Sequence, residues 1–177
     1  MSLMGVDVGT SGVKAVVFGD DGSLKAHAYQ EYPLSFPFPG AAELDPDVVL
    51  RASTDVIRCA VSQVGAHDPV SAVGIASQGE AFVPVAREGR LMYGAMTSSD
   101  SRAAELVDTF SDSFGRERLY RITGHTPYPM YSLYKLLWLK ANRSDVWEGA
   151  WKYLFIQDLI AYFLTGEVRT DYTMAAR

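Results

Sequence analysis

The first 33 residues alternate between apolar and polar positions with a period of two, which is the pattern of half-buried β-strands. Val6 and Val8 lead into a Gly-rich break, and Val13 and Val17 lead out of it. The pattern therefore predicts a β-meander whose three strands cover residues 3–8, 13–19 and 24–33.

The remainder of the chain mixes helical periodicity with short apolar runs. Asp45 followed by Pro46 is typical of an N-cap and a first-turn proline, so a helix is predicted from Pro46 to about Val64. Further strands are predicted over residues 71–77, 81–86 and 91–96, the first of them buried. Further helices are predicted over residues 102–110, 114–122, 132–141 and 157–164. This order of elements indicates an α/β domain of the mixed α+β kind, in which a mixed sheet opens with a β-meander and is flanked by helices.

The composition of the chain limits the kinds of partner, location and site that can be expected. A length of 177 residues suits one domain with a real core, and a net charge of −5 argues against nucleic acid or an anionic membrane as a partner. No apolar stretch reaches the roughly 20 residues that span a bilayer, and no signal peptide is recognisable, so the expected location is cytoplasmic. The single cysteine, Cys59, excludes an internal disulfide and is predicted to be buried. The three histidines, His27, His67 and His125, lack the spacing of a zinc site.

The hairpin tip is the first candidate site. Asp7 lies inside an apolar strand where a carboxylate has no packing role, and the tip offers the hydroxyls of Thr10 and Ser11 between Gly9 and Gly12. Glycines let backbone N–H groups approach an anion, and a carboxylate can hold hydrated Mg²⁺. The tip is therefore either a phosphate-binding hairpin with a metal-holding acid or a plain turn whose aspartate faces water.

Two further polar segments follow predicted strands. Gln78, Gly79 and Glu80 follow the strand over 71–77, at a position where ligands are often bound, but taken alone this segment is better explained as a simple polar turn. Asp100 and Arg102 lie where strand gives way to helix. The plain interpretation of Asp100 is a predicted helix N-cap, and this role is compatible with a functional one.

The helix predicted over 132–141 carries an apolar stripe made of Leu133, Leu136, Leu137 and Trp138. Tyr131 and Tyr134 are interpreted first as packing residues, with lining of a ligand cleft as the alternative. Lys135 is predicted to be a solvated charge.

Five segments together resemble the N-terminal domain of FGGY-family carbohydrate kinases, a family that includes xylulokinases, gluconokinases and glycerol kinases. They are GVDVGTSGVKAVVFGDDG, AVGIASQGEAF, GAMTSSDSRAAE, ITGHTPYPMYSLYKLLWLK and IQDLIAYFLTGEVRTDYTMAAR. One such motif would be weak support, but these five occur in the family's order from Gly5 to Arg177.

The resemblance implies the actin/hexokinase-like ATPase fold, which is ribonuclease H-like, and transfer of the ATP γ-phosphoryl group to a hydroxyl of a small sugar or polyol. It implies ATP and Mg²⁺ as cofactors, with Asp7 at the metal and Gly9, Thr10 and Ser11 at the phosphates. The sugar site would be formed by Gln78, Gly79, Glu80, Asp100, Arg102, Met130 and Tyr131.

The resemblance also implies that residues 1–177 form an N-terminal domain, with the C-terminal ATPase domain and the catalytic base located beyond Arg177. The chain by itself is then expected to lack turnover, and its exposed half-cleft would favour self-association.

Two departures from the family pattern leave the substrate open. Ser98 stands where the family has tryptophan, and the Gly79-Glu80 pair matches neither the Arg-Glu of glycerol kinases nor the Met-His of xylulokinases. A non-catalytic sugar- or nucleotide-binding module that retains the fold is the alternative function, and another ATPase of the actin superfamily is a more remote one.

Overall fold

The computed structural model describes residues 1–65 and 68–175, so Ala66, His67, Ala176 and Arg177 lie outside the described part. The strands are β1 (Ser2–Val8), β2 (Gly12–Gly19), β3 (Leu24–Glu31), β4 (Glu43–Leu44), β5 (Val70–Ser77), β6 (Phe82–Val85), β7 (Ala95–Met96) and β8 (Lys152–Phe155). The helices are α1 (Pro46–Val64), α2 (Ala104–Phe114), α3 (Arg116–Thr123), α4 (Ser132–Asn142), α5 (Ser144–Gly149), α6 (Ile156–Thr165) and α7 (Tyr172–Ala175).

The main sheet has the strand order β3-β2-β1-β5. β1, β2 and β3 form an antiparallel meander, and β5 pairs in parallel with β1. Two small antiparallel sheets pair β4 with β7 and β6 with β8. The predicted α/β architecture, a mixed sheet that opens with a meander and is flanked by helices, is confirmed.

Helix α1 begins and ends at the predicted residues. Asp45 caps it, with Oδ1 accepting hydrogen bonds from the amides of Asp47 at 2.9 Å and Val48 at 3.2 Å. Its inner face packs on the main sheet, and the buried residues of that face are Pro46, Val49, Ala52, Ser53, Val56 and Ala60.

The two faces of the main sheet are buried to different extents. The face toward α1 is closed, since Met4, Val6 and Val8 of β1 are at most 3% exposed. The opposite face is open and mixes charged residues with large apolar side chains, among them Leu3, Phe18, Leu24 and Tyr29, which are 42–60% exposed. Parallel strand pairs are usually covered on both faces, so the β1–β5 pair is unusually open.

The predictions for β5, for residues 91–96 and for Cys59 are wrong. β5 is not buried, because it is the edge strand of the sheet and Val73 is 44% exposed. The strand predicted over 91–96 is reduced to a bridge at Leu91 and to β7, because Gly94 interrupts it. Cys59 is exposed, since it lies on the outer face of α1.

Helix α4 turns a different face to the core from the one its apolar stripe predicts. Its buried residues are Ser132, Tyr134, Lys135 and Leu139, while the four residues of the predicted stripe are only half-buried. The difference arises because Ser132 and Lys135 hydrogen-bond to polar groups of Glu80 and Met96 on the neighbouring segments. None of the helices in residues 1–65 and 68–175 is long and apolar enough to cross a bilayer.

Candidate functional site

The candidate site lies at the carboxyl ends of the parallel strands β1 and β5, the edge at which ligands are generally bound in parallel sheets. The Gln78 amide donates to the Val8 carbonyl at 3.2 Å, so the chain leaves both strands at the same level. The Thr10 hydroxyl donates to Gln78 Oε1 at 3.3 Å. The hairpin tip and the turn after β5, which are 68 residues apart in sequence, are therefore neighbours.

The hairpin tip presents polar groups to solvent. The Gly9 amide donates to the Gly12 carbonyl at 2.9 Å and closes the turn. Within the described residues the amides of Thr10 and Ser11 have no hydrogen-bond acceptor. Such amides, together with the two hydroxyls, form a surface suited to an anion.

A side chain at Gly12 would not fit. A Cβ there would lie 2.8 Å from the Gln30 carbonyl oxygen and 2.8 Å from the Tyr29 hydroxyl, both far inside van der Waals contact. The requirement for glycine at this position is therefore one of space, because the φ angle of Gly12 is not positive.

Asp7 lies on the open face of the sheet, where it is exposed and stands opposite Lys14 of β2. In residues 1–65 and 68–175 no cluster of three metal-ligating side chains occurs. Mg²⁺ does not require such a cluster, since it usually keeps several waters and binds one or two carboxylates together with phosphate oxygens. A single exposed aspartate beside an anion-binding turn fits this mode.

The turn after β5 contains a shielded donor. Gln78 Nε2 is shielded from solvent and lacks a hydrogen-bond partner in the part of the chain that the structure describes. An unpaired buried amide is costly, so a ligand oxygen at this position would satisfy it.

Glu80 is buried, with 2% of its surface exposed. Its Oε2 accepts hydrogen bonds from the backbone amide and the hydroxyl of Ser132, each at 2.9 Å. Ser132 is the first residue of α4, where unpaired amides and the helix dipole favour a carboxylate. The carboxylate of Glu80 is thereby fixed in orientation.

Lys135 is fully buried, so its predicted exposure as a solvated charge is wrong. Its Nζ donates to the carbonyls of Glu80 at 2.9 Å and Met96 at 3.2 Å. Burial lowers the pKa of Lys135 to about 8, although the charges of Glu80 and Asp100 oppose that shift. The lysine therefore joins the turn after β5 to the end of β7.

Asp100 and Arg102 form a buried ion pair rather than a helix cap. Arg102 Nη2 lies 2.6 Å from Asp100 Oδ2 and 2.7 Å from Glu43 Oε1, and the Ala42 amide donates to Asp100 at 2.7 Å. The predicted N-cap role of Asp100 is wrong, because α2 begins at Ala104 and its N-cap residue, Ala103, makes no side-chain cap.

Aromatic rings enclose the Arg102 guanidinium. Its central carbon lies 4.9 Å from the ring centre of Phe38, 5.0 Å from that of Trp138 and 5.8 Å from that of Tyr93. Arg102 Nη1 also donates to the Tyr93 hydroxyl at 3.1 Å. Only 1% of the Arg102 side chain is exposed, so this residue stabilises the surrounding segments and does not face solvent.

The loop before α4 carries two residues that were predicted to line the sugar site. Met130 and Tyr131 are half-buried, and the Tyr131 ring stacks on His125 at 4.9 Å. For Tyr134 the packing interpretation holds, since it is 1% exposed and its hydroxyl lies 2.9 Å from Ser111 Oγ.

The segment around α6 contacts the same edge of the main sheet. The Gln157 amide donates to Ser77 Oγ at 3.2 Å, and Gln157 Nε2 donates to Asp171 Oδ2 at 2.7 Å. The five family-like segments of the sequence therefore meet near the ends of β1 and β5. Some contact these strand ends directly, and the others contact them through one intervening residue.

Sequence reasoning missed several polar residues that hold the site together, namely Tyr32, Glu43 and Ser132. Ser132 and Lys135 follow an i, i+3 spacing with buried neighbours, which is a usable signal for one helix face. Tyr32 falls in the strand predicted over 24–33, whose alternation indicates burial but gives no role for the hydroxyl, and Glu43 lies outside any periodic pattern.

Residues 2–177 match the N-terminal domain of the FGGY family of carbohydrate kinases. The xylulose kinase of Staphylococcus xylosus is 26% identical over 98% of this chain and 36% of that protein. The glycerol kinase of Thermococcus gammatolerans is 29% identical over 99% of this chain and 36% of that protein.

Solved structures give the same result. The crystal structure of a gluconate kinase from Lactobacillus acidophilus superimposes with a TM-score of 0.92 at 31% identity, covering 99% of this chain and 35% of that one. The chain therefore spans about a third of the length of the curated relatives it matches.

Proposed function

Because the chain belongs to the FGGY family of carbohydrate kinases, we propose that it carries the sugar-binding half and the phosphate-facing hairpin of an enzyme that phosphorylates a sugar or polyol hydroxyl with ATP. The observation that carries this proposal is the hydrogen bond between Thr10 and Gln78. It joins an anion-binding turn to a turn with an unsatisfied donor, so a phosphate and a hydroxyl could be held side by side.

Each group of the site has a role in this proposal. The amides and hydroxyls of Thr10 and Ser11 bind phosphate oxygens, and Asp7 holds Mg²⁺ through its carboxylate. The metal, when bound, would neutralise charge on the phosphates. Gln78 and Glu80 bind and orient the acceptor, with the Glu80 carboxylate accepting hydrogen bonds from hydroxyls.

The remaining site residues complete the acceptor wall. Gly79 leaves room for the substrate, and Met130 and Tyr131 contact it from the loop before α4. Asp100 and Arg102 act through the wall, since both side chains are at most 1% exposed.

We also infer that this chain is the N-terminal domain of a longer kinase, with the ATPase domain and the base that activates the hydroxyl supplied by residues after Arg177. The open face of the main sheet supports this inference, because its exposed Leu3, Phe18 and Tyr29 need a cover. The lengths of its relatives support it as well, since this chain spans about one third of each of them. A cytoplasmic location, where ATP is available, remains a prediction.

The test is ADP release from Mg·ATP with a panel of pentuloses, hexuloses, gluconate, glycerol and pentitols. This chain and the longest product of its gene are assayed side by side. We expect turnover of one acceptor by the longer product and none by this chain. No turnover by a folded longer product would favour a non-catalytic binding module, a function consistent with Ser98 in place of the family tryptophan.

A further inference from the structure

A buried tyrosine contacts the hairpin tip from the α1 side of the sheet. The side chain of Tyr32 is 6% exposed and belongs to the main hydrophobic core. Its hydroxyl lies 2.7 Å from the Gly9 carbonyl oxygen and 3.1 Å from that of Gly12, so it donates to the first and shares its proton with the second.

The tip needs this external donor because of its backbone conformation. Hairpins with tight turns normally place residues at positive φ, and no residue from Gly9 to Gly12 has a positive φ. The Gly9 amide bonds to the Gly12 carbonyl, but among the described residues the reverse bond, from the Gly12 amide to the Gly9 carbonyl, is not formed. The Tyr32 hydroxyl takes its place.

The direction of the carbonyl groups decides what the tip can bind. Carbonyl oxygens repel an anion, whereas amide hydrogens attract one. With the oxygens of Gly9 and Gly12 engaged by Tyr32, the amides of Thr10 and Ser11 are left without acceptors in the described part of the chain. A second aromatic residue, Tyr29, lies over Gly12 from the open face.

We propose that Tyr32 is a positioning residue of the phosphate-facing hairpin, whose hydroxyl holds the Gly9 and Gly12 carbonyls away from the bound nucleotide. This assignment rests on the proposed function. Burial and the nearby Asp7 raise the pKa of Tyr32 above its ordinary value, so the hydroxyl remains a donor throughout the neutral range.

The test is Tyr32→Phe in the longest product of the gene, with Mg·ADP binding measured by titration calorimetry. Loss of one hydrogen bond that shapes the tip should weaken Mg·ADP binding about tenfold. Affinity for the acceptor that supports turnover should stay unchanged, which a general loss of structure would not allow. Tyr120→Phe, at an exposed tyrosine of α3, is the matched control, and it should leave Mg·ADP affinity as in the wild type.

A second measurement needs no variant. Amide hydrogen exchange on the wild type should show rapid exchange at Thr10 and Ser11 without nucleotide and protection of both when Mg·ADP is added. Absence of protection in a protein that binds Mg·ADP would overturn the assignment, and so would a folded Tyr32→Phe variant with wild-type affinity. A wild type that fails to bind Mg·ADP would instead overturn the proposed function, and the assignment of Tyr32 with it.

Discussion

The two halves of the candidate site are built in opposite ways. The hairpin half exposes its functional groups, with Asp7 on an open face and the Thr10 and Ser11 amides without acceptors in the described part of the chain. The acceptor half buries its charges, since Glu80, Asp100 and Lys135 are at most 2% exposed. Backbone amides donate to the carboxylates of Glu80 and Asp100, and the Lys135 ammonium donates to the Glu80 carbonyl.

This difference indicates where the cost of a substitution will fall. A buried charge that loses its partner destabilises the fold, because the remaining group has no water to replace the interaction. An exposed charge contributes little to stability, so its loss is felt only by a ligand. Variants in the hairpin half should therefore impair chemistry, and variants in the acceptor half should impair the fold as well.

The largest effect is expected from Asp7→Ala in the longest product of the gene. Loss of the carboxylate assigned to Mg²⁺ should lower kcat by about 1000-fold, since metal stabilisation is worth several kcal/mol. The free energy of unfolding should stay the same, because Asp7 is exposed. Asp20→Ala, in the exposed turn before β3, is the control in a steady-state ADP-release assay. Wild-type turnover by Asp7→Ala would remove this residue from the mechanism.

The next effect concerns stability in the acceptor half. Asp100→Ala leaves the buried Arg102 with Glu43 as its remaining carboxylate and the Ala42 amide without its acceptor. Urea denaturation should show a loss of about 3 kcal/mol. Asp145→Ala breaks an exposed pair with Arg143 and should cost at most about 1 kcal/mol. Equal losses for the two variants would contradict the distinction between buried and exposed charges.

Glu80→Gln should affect substrate binding with a smaller loss of stability. The amide oxygen can still accept hydrogen bonds from Ser132, but the charge is gone. We expect kcat/KM for the acceptor to fall about tenfold while the KM for ATP is unchanged. Glu88→Gln, at an exposed turn, serves as the control. A change confined to ATP would show that Glu80 is misassigned.

The smallest effect is a pH dependence caused by Lys135. Its pKa is lowered to about 8 in the folded protein, below its ordinary value of 10.5, so the unfolded state binds more protons between these limits. Stability from this group therefore rises with pH above about 8. Relative to Lys135→Met, the wild type should gain about 1 kcal/mol between pH 8 and pH 9 in urea denaturation. A constant difference would indicate an ordinary lysine pKa.

The elements set by local chemistry were predictable from the sequence. The meander followed from alternation, and α1 followed from the Asp45 cap and Pro46. The end of α6 was also predictable, because the helix predicted over 157–164 stops just before Gly166, and the φ of 74° at this residue favours glycine.

The features that depend on distant contacts were not predictable. Burial of Lys135 depends on the carbonyls of Glu80 and Met96, which are 55 and 39 residues away. The role of Tyr32 depends on carbonyls 23 and 20 residues away. The exposure of β5 depends on its position at the sheet edge, and an apolar run alone does not distinguish a central strand from an edge strand.

The most direct test of the account is calorimetric titration of Asp7→Ala and Glu80→Gln, in the longest product of the gene, with Mg·ADP and with the acceptor found in the panel. We predict that Asp7→Ala loses affinity for Mg·ADP alone and that Glu80→Gln loses affinity for the acceptor alone. Loss of the same ligand by both variants would contradict the division of the site into a phosphate-facing hairpin and a buried acceptor wall.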